Sequence, residues 1–481
     1  MMRLSQSSID RVTSVFAELD LGDPRRKERL LRTVSNLASN PRVSFPEAMG
    51  TEAEIEGGYR LMNSPHVTMG ALNDAHAVAT AKLAAKAGSV LAIHDTTTFE
   101  FKQADPKEIG YLHTGKPGFL VHYALIVSAD ESHRPLGISS VEEIVRRKRP
   151  KKRSPKKTSV SRSARYTARD PQRESLRWGR GFDATSKLLE DVEVIHVADR
   201  EGDNYELLVR GEANRQRFVI RARVTERSVT GPDGAVETLR TVLDGARGRL
   251  SREVQLSARK RDTAPKSRHQ ARDARSANLE FSAERVVLRR PVHQSPELPQ
   301  ELEINVVRVF EPNPPAGETP VEWVLYTTEP VRTKSEIAAV VDIYRARWLI
   351  EECNKALKTG CRYEDRQFES PGALLNLLAM TFPIAVELLA LRAACRRSPN
   401  RPAAEVLTAL QLTILRAMAS RKLEKHATVH DALWAVAGLG GHMKTNGEPG
   451  WLVLHRGMTK LLAYEEGWKA AQIAAGLPIS Q

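Results

Sequence analysis

Cysteine is scarce: the 481 residues hold three, Cys353, Cys361 and Cys395. Their positions match no zinc-ligand spacing and are too few for a disulfide framework, which excludes a stapled scaffold and points to a reducing compartment. An apolar N-terminal leader is also lacking, so no secretion signal is expected. Long uninterrupted hydrophobic runs are missing as well. The most apolar stretch, residues 373–391, is broken by Asn376, Pro383 and Glu387 and reads as a buried helix rather than a membrane span. Acidic residues are outnumbered. Lys and Arg total 73 against 59 Asp and Glu, a formal net charge of +14. That excess favours a polyanionic partner, nucleic acid first. The length allows about two to four domains and a sizeable core.

What is present concentrates in residues 343–358, I-Y-R-A-R-W-L-I-E-E-C-N-K-A-L-K. Strong helix formers without Gly or Pro predict one helix. At ~100° per residue, Tyr344, Arg347, Glu351, Lys355 and Lys358 fall within a sector of roughly 80°. Glu352 points about 100° away, off that stripe. A carboxylate ringed by cations suits a site holding a metal beside a phosphodiester. The plain alternative is a surface helix laced with salt bridges.

Upstream, the chain opens with helical periodicity: Ile9, Val12, Val15 and Phe16 recur at helical spacing. Asp23-Pro24 reads as an N-cap followed by proline at the first helical position. Arg25, Arg26, Lys27 and Arg29 then fall in the first turns, a DNA-binding head or simply a solvated basic face. From Ser89 the pattern becomes strand-like. Val90 to Ile93 form a short apolar run ending in His94 and Asp95, and a second buried run at 192–198 ends in Asp199. Further strands are expected at 121–128, 136–139 and 218–221, with a helix over 173–190. Residues 146–157 carry nine cations in twelve positions and read as a phosphate-gripping loop. Between 224 and 331 alternating segments predict an all-β insertion, with strands at 252–258, 279–288, 302–310 and 322–327 and a basic loop at 259–275. Beyond residue 358 the pattern is helical.

Asp95 and Asp199 at strand ends, with Glu351 on a helix crossing the same edge, would form three mutually repelling carboxylates. A divalent cation is their natural complement, and hard oxygen ligands favour Mg²⁺ or Mn²⁺. Two such ions ~3.5–4 Å apart activate water or a 3′-hydroxyl and stabilise the departing oxygen. Each acid alone has a plainer reading as a cap or turn former, and His94 and His196 as packing residues. Asp105, Glu108 and Glu201 are spare acids that spacing does not exclude.

These residues carry a resemblance. Tyr344, Arg347, Glu351 and Lys358 meet a Tyr-x₂-Arg-x₃-Glu-x₆-Lys signature, A-I-H-D-T-T resembles a D-T-T strand, and A-D-R-E-G-D resembles a D-R-E-x-D turn. The chain resembles the bacterial DDE transposases of the insertion-sequence-four family, closest to the Tn-five branch. L-G-D-P-R-R, G-Y-R-L-M-N-S-P-H-V, R-F-V-I-R and G-L-G-G extend the likeness over most of the length. The resemblance implies an α/β fold: a ribonuclease H-like catalytic core with an inserted all-β domain, flanked by N-terminal and C-terminal helical domains. It implies cut-and-paste transposition through nicking, hairpin formation, hairpin opening and strand transfer. Asp95, Asp199 and Glu351 would hold two Mg²⁺ ions, with Mn²⁺ substituting. Tyr344, Arg347, Lys358, Lys355 and Arg221 would support the active-site DNA, Trp323 would receive a flipped base, and Arg25, Arg26 and Arg29 would recognise element ends. Two departures stand out: the basic block at 146–157, and His94 where an acid often precedes the first Asp.

The expected layout is an end-binding domain at 1–70, core at 71–223, β-rich insertion at 224–331, second core part at 332–395 and C-terminal dimerisation domain at 396–481. Expected partners are double-stranded DNA, as terminal inverted repeats and target, and a second copy in a synaptic homodimer. No membrane or small-molecule substrate is expected, and the expected location is the bacterial cytoplasm at the nucleoid. The competing readings are a catalytically inactive DNA-binding regulator and a ribonuclease H-fold nuclease without strand transfer.

Overall fold

In the computed structural model, which describes residue 4 and residues 6–147, 173–231, 234–258, 271–368, 370–419, 423–443 and 447–477, helices come first. They are α1 (Gln6–Ser14), α2 (Pro24–Ser39), α3 (Phe45–Met49), α4 (Glu52–Met62) and α5 (Met69–Ala87). Capping sets their starts. The Asp23 carboxylate accepts from the Arg25 backbone N–H at 2.8 Å ahead of Pro24, and Ser44, Thr51 and Thr68 cap the next three. Leu30, Val34 and Leu37 recur on the buried face of α2 and join Phe16, Phe45 and Met49 in the core.

Eleven strands follow: β1 (Ser89–Glu100), β2 (Gly118–Ser128), β3 (Pro135–Ile144), β4 (Glu193–Ala198), β5 (Arg217–Arg221), β6 (Ser228–Thr230), β7 (Val236–Thr238), β8 (Leu250–Leu256), β9 (Arg275–Arg289), β10 (Glu301–Phe310) and β11 (Glu322–Thr327). They form one sheet in the order β3-β2-β1-β4-β5-β11-β10-β9-β6-β7, with β8 added to β9. β1 runs parallel to β4 and β4 to β5, whereas β2, β3 and β11 join antiparallel. This mixed α/β arrangement fits the ribonuclease H-like expectation. The helices in and after the sheet are α6 (Pro106–Ile109), α7 (Arg177–Leu188), α8 (Tyr205–Ala213), α9 (Leu239–Gly245), α10 (Lys334–Ala346), α11 (Trp348–Lys355), α12 (Pro371–Arg397), α13 (Ala409–Met418), α14 (Val429–Leu439) and α15 (Trp451–Ala474).

Strand periodicity divides the core. Odd-numbered residues Leu91, Ile93, Tyr123, Leu125, Ile195, Val197, Val219 and Leu325 share a core with α10, α11 and α12. Even-numbered Ala198, Phe218, Ile220 and Tyr326 pack on the other face with Trp178 and Phe182 of α7 and Leu208 of α8. α12 is apolar and long enough to cross a membrane by composition, but most of it is buried in the protein. Its Asn376 donates to the Met62 and Val67 carbonyls at 3.0 and 2.7 Å, which ties the N-terminal helices to the core.

Two expectations need correction. The insertion is not all-β, since it carries α9, and it is not a separate sheet. β11 pairs with β5, so its strands extend the core sheet outward. The predicted single helix over 343–358 is broken at Arg347 and ends in a π-helical turn, Ala356–Gly360, closed by Cys361 N–H donating to the Ala356 carbonyl at 2.7 Å. The basic block lies outside the described residues from 148 on. Its first member, Arg146, is clamped by Glu174 at 2.6 Å. Of the 259–275 loop, residues 259–270 also lie outside the described residues.

At the C-terminal end α14 and α15 cross backbone to backbone. Gly440 faces the Val453 carbonyl, and Gly457 faces the Val436 carbonyl, each leaving no room for a methyl group. Gly457→Ala is therefore expected to cost about 1–3 kcal/mol, read as earlier thermal unfolding and faster proteolysis after residue 400. Wild-type behaviour would mean that the helices meet elsewhere.

Candidate active site

β1 and β4 pair in parallel up to His94 and Ala198. The next residues are Asp95 and Asp199, neighbours on strands ~4.8 Å apart. On β2, Tyr123 is the register partner of Asp95. On β5, Ile220 pairs with Ala198, so Arg221 follows in step with Asp199. Tyr123, Asp95, Asp199 and Arg221 thus form one row across four strands, all on the odd-numbered face. Asp95 is not a strand terminus as expected: β1 continues to Glu100 on β2 alone. It is β4 that stops, and its departure opens the edge. Asp199 turns the chain by capping a short helical turn, accepting from the Glu201 backbone N–H at 2.8 Å.

α10 and α11 lie across this row. Arg347, at the break between them, donates to Glu351 at 3.2 Å. With the Arg347 side chain only 16% exposed, breaking this pair is favourable only if an incoming phosphate or cation takes the lost partner's place. Burial works against the Arg347 cation, yet Tyr344, Glu351 and Asp199 around it raise it above its ordinary value. Burial also pushes the Asp95 carboxyl up to about 6, reinforced by the negative charges of Glu351 and Asp199. The three acids therefore act on one another electrostatically. Among the described residues, however, no three His, Cys, Asp or Glu side chains are gathered tightly enough to hold a metal ion as they stand. Like-charge repulsion accounts for that: Glu351 turns to Arg347 and Asp95 to Asn354, whose Nδ2 donates to Asp95 Oδ2 at 2.8 Å. All-carboxylate donors at an electrostatically strained edge fit a hard divalent cation.

The other nominated residues are distributed as follows. Tyr344 is buried, with Trp323 edge-on at 5.5 Å between ring centres. The Arg221 guanidinium lies 5.8 Å from the Trp323 ring, so that indole already has two neighbours. Lys358, in the π turn, places its ammonium 5.5 Å from the Phe99 ring. Lys355 does not join Glu351. It pairs with Glu352 at 2.9 Å and lies over Trp348. Glu352, off the stripe as predicted, is buried and accepts from Trp451 of α15 at 2.9 Å, anchoring the C-terminal helices to the site helix. Arg25 is exposed, but Arg26 binds the Leu21 carbonyl and Arg29 pairs with Glu54 at 2.6 Å.

Two of the three spare acids take structural roles. Asp105 caps α6, and Glu201 pairs with Arg177 at 3.0 Å. The fully buried Asp203 accepts from the Arg223 and Val224 backbone N–H groups at 2.6 and 3.2 Å and pairs with Arg227, fixing the turn beyond Arg221. A cleft of about 1230 Å³ between α4, residues 100–109 and residues 362–368 contains Asp105 and Glu108 but none of the row acids. On the opposite face of the sheet His94, His122 and His196 are buried. His94 bonds to His196, and His122 to Thr96, each at 3.0 Å. Sequence reasoning missed Asn354, Tyr123 and the exposed Trp348. Only the odd-number register of Tyr123 with Asp95 hinted at one of them.

Comparison with known families agrees with this geometry. Residues 10–67 match a family model described as transposase DNA-binding, and residues 114–384, more than half of the chain, match one described as transposase DDE domain. Asp199, Arg347 and Glu351 lie inside the second match. Asp95 precedes it, and the sheet register is what seats it beside Asp199. DDE transposase domains generally use divalent metals, and DNA is their partner. The chain belongs to the DDE transposases.

Proposed function

We propose that this protein is a cut-and-paste transposase of the insertion-sequence-four family, nearest the Tn-five branch. The observation that carries the reading is the row of Asp95, Asp199 and Arg221 on one sheet face beneath the helix bearing Arg347 and Glu351. Asp95, Asp199 and Glu351 would hold two Mg²⁺ ions, with Mn²⁺ substituting. Those ions would supply an activated oxygen nucleophile and neutralise the leaving oxygen. Arg347, Lys358 and Tyr344 hold the scissile phosphate and its neighbours, Arg221 steadies the adjacent strand, and Trp323 stacks on an unpaired base when a hairpin forms. Lys355, tied to Glu352 on the edge of the same helix, meets the backbone only by exchanging that partner.

Residues 1–70 bind the element ends, 71–223 and 332–395 supply the core, 224–331 is the insertion, and 396–481 joins two copies in the synaptic dimer at the bacterial nucleoid. Arg25 is the arginine of its helix best placed for phosphate, because Arg26 and Arg29 already have protein partners. Arg25→Ala is expected to weaken end binding and to flatten the log K against log salt slope by about 0.9. Titrations at several salt concentrations check this, and an unchanged slope removes Arg25 from the contact.

Incubating the protein with Mg²⁺ and DNA carrying the element's terminal inverted repeats tests the chemistry. Hairpin-ended and then flush products are expected. Specific binding without cleavage would instead mark a regulator, and nicking without end specificity a nuclease.

A further inference from the structure

The site contains a buried hydrogen-bonded relay that belongs to none of the roles above. Asn354 sits three residues after Glu351 on α11 and is 8% exposed. Its amide faces inward between two strands. Nδ2 donates to Asp95 Oδ2 at 2.8 Å, and Oδ1 accepts from the Tyr123 hydroxyl at 2.8 Å. Tyr123 is fully buried, is the register partner of Asp95 on β2, and packs 5.2 Å from the Phe382 ring. β1, β2 and the helix bearing Glu351 are thus joined through three side chains.

We infer that Asn354, fixed by Tyr123, is a positioning residue that aims the Asp95 carboxylate toward the cation. This rests on the reading of Asp95 as a metal-holding carboxylate. A side-chain amide is nearly symmetric in shape, and either end could face Asp95. An ionised carboxylate accepts only, so the nitrogen must face it, and the Tyr123 hydroxyl, able to donate or accept, then donates to the Oδ1 that remains. The relay engages one oxygen of Asp95 and leaves the other to the cation. It is also uncharged. A lysine or arginine in its place would compete with the metal for Asp95, and an aspartate would add a fourth anion to an edge already strained by three. Partners that orient a ligating carboxylate typically matter about 10–100-fold in metal affinity or activity.

The test uses the full-length protein with Asn354→Ala, Tyr123→Phe and Asp95→Ala. The readouts are Mn²⁺ affinity without DNA by calorimetry, the Mg²⁺ concentration for half-maximal cleavage of inverted-repeat DNA, and melting temperature. Asn354→Ala is expected to weaken Mn²⁺ binding and raise the Mg²⁺ requirement together, by about 10–100-fold. Tyr123→Phe, which removes one oxygen, should shift both in the same direction by less. Should Asn354→Ala fail to fold, the Tyr123→Phe shift decides. Loss of metal binding in Asp95→Ala with wild-type metal dependence in a folded relay variant overturns the relay alone. Wild-type metal binding and cleavage by Asp95→Ala overturns the metal-site reading, and the relay with it.

Discussion

Alanine at Asp95, Asp199 or Glu351 is expected to lower DNA cleavage by at least about 10³-fold, or about 4 kcal/mol of barrier, while end binding changes little. The reason is a division of labour. The three acids lie at the edge of the sheet and repel one another, and Asp95 is pushed up to about 6 chiefly by burial. Nothing in their arrangement serves binding to a polyanion. Removing one carboxylate relieves repulsion but also frees a donor, Asn354, the Glu201 N–H or Arg347, so these variants should stay folded with stability within about 1–3 kcal/mol of wild type. Cleavage assays at saturating Mg²⁺ beside gel-shift binding provide the check. Normal cleavage by any one of them removes that residue from the catalytic set, and parallel loss of binding would mean that the change disrupted the fold.

The second large effect concerns acid. Burial holds His76, His122 and His196 down to about 3, with Arg177 and Arg180 adding to the effect at His122. A free histidine titrates near ~6.5. Below that pH the unfolded chain takes up protons that the folded chain refuses. Stability is therefore complete above about pH 6.5 and falls continuously as pH drops toward about 3. Burial holds His94 well down too, so with about 1.4 kcal/mol per pH unit from each group the four together give about 5–6 kcal/mol per pH unit. Against a typical domain stability of about 5–15 kcal/mol, that slope places acid unfolding about one to three pH units below ~6.5. Urea melts at pH 7.5, 6.5 and 5.5 measure it. His76→Leu should reduce the slope by about one quarter at any given starting stability. A stability that is flat from pH 7.5 to 5.5 would contradict the buried neutral imidazoles.

Much of this was legible in the residues. The strand pattern located β4, β10 and β11 closely and found the start of β1 but not its end, and the period-two rule places Leu91, Ile93 and Asp95 on one face and His94 on the other. The Tyr-Arg-Glu-Lys spacing led to the helix whose Glu351 acts electrostatically on Asp95. Its geometry was less legible. A wheel drawn at ~100° per residue assumes an unbroken α-helix, and here the chain breaks at Arg347 and closes with a π turn that resets Lys358. Lys355 went astray for a different reason. Proximity on a wheel did not reveal that Glu352, buried against Trp451 and Arg392, is the stronger attractor. Asn354 and Tyr123 are joined across 231 residues, and no local pattern carries such a contact. The insertion was read as all-β because its segments alternate. The antiparallel pairing of β11 with β5, Leu325, Tyr326 and Thr327 against Arg221, Ile220 and Val219, fuses it to the core sheet.

The central claim is that the edge where β4 leaves β1 is a divalent-metal centre built by Asp95, Asp199 and Glu351. Anomalous scattering from a crystal grown with Mn²⁺ and inverted-repeat DNA tests it most directly. Manganese peaks bounded by these three carboxylates, with Asn354 still on Asp95, are the predicted result. Manganese bound elsewhere, for instance among Asp105, Glu108 and Glu364 in the cleft beside α4, with the β1–β4 edge empty, would contradict it.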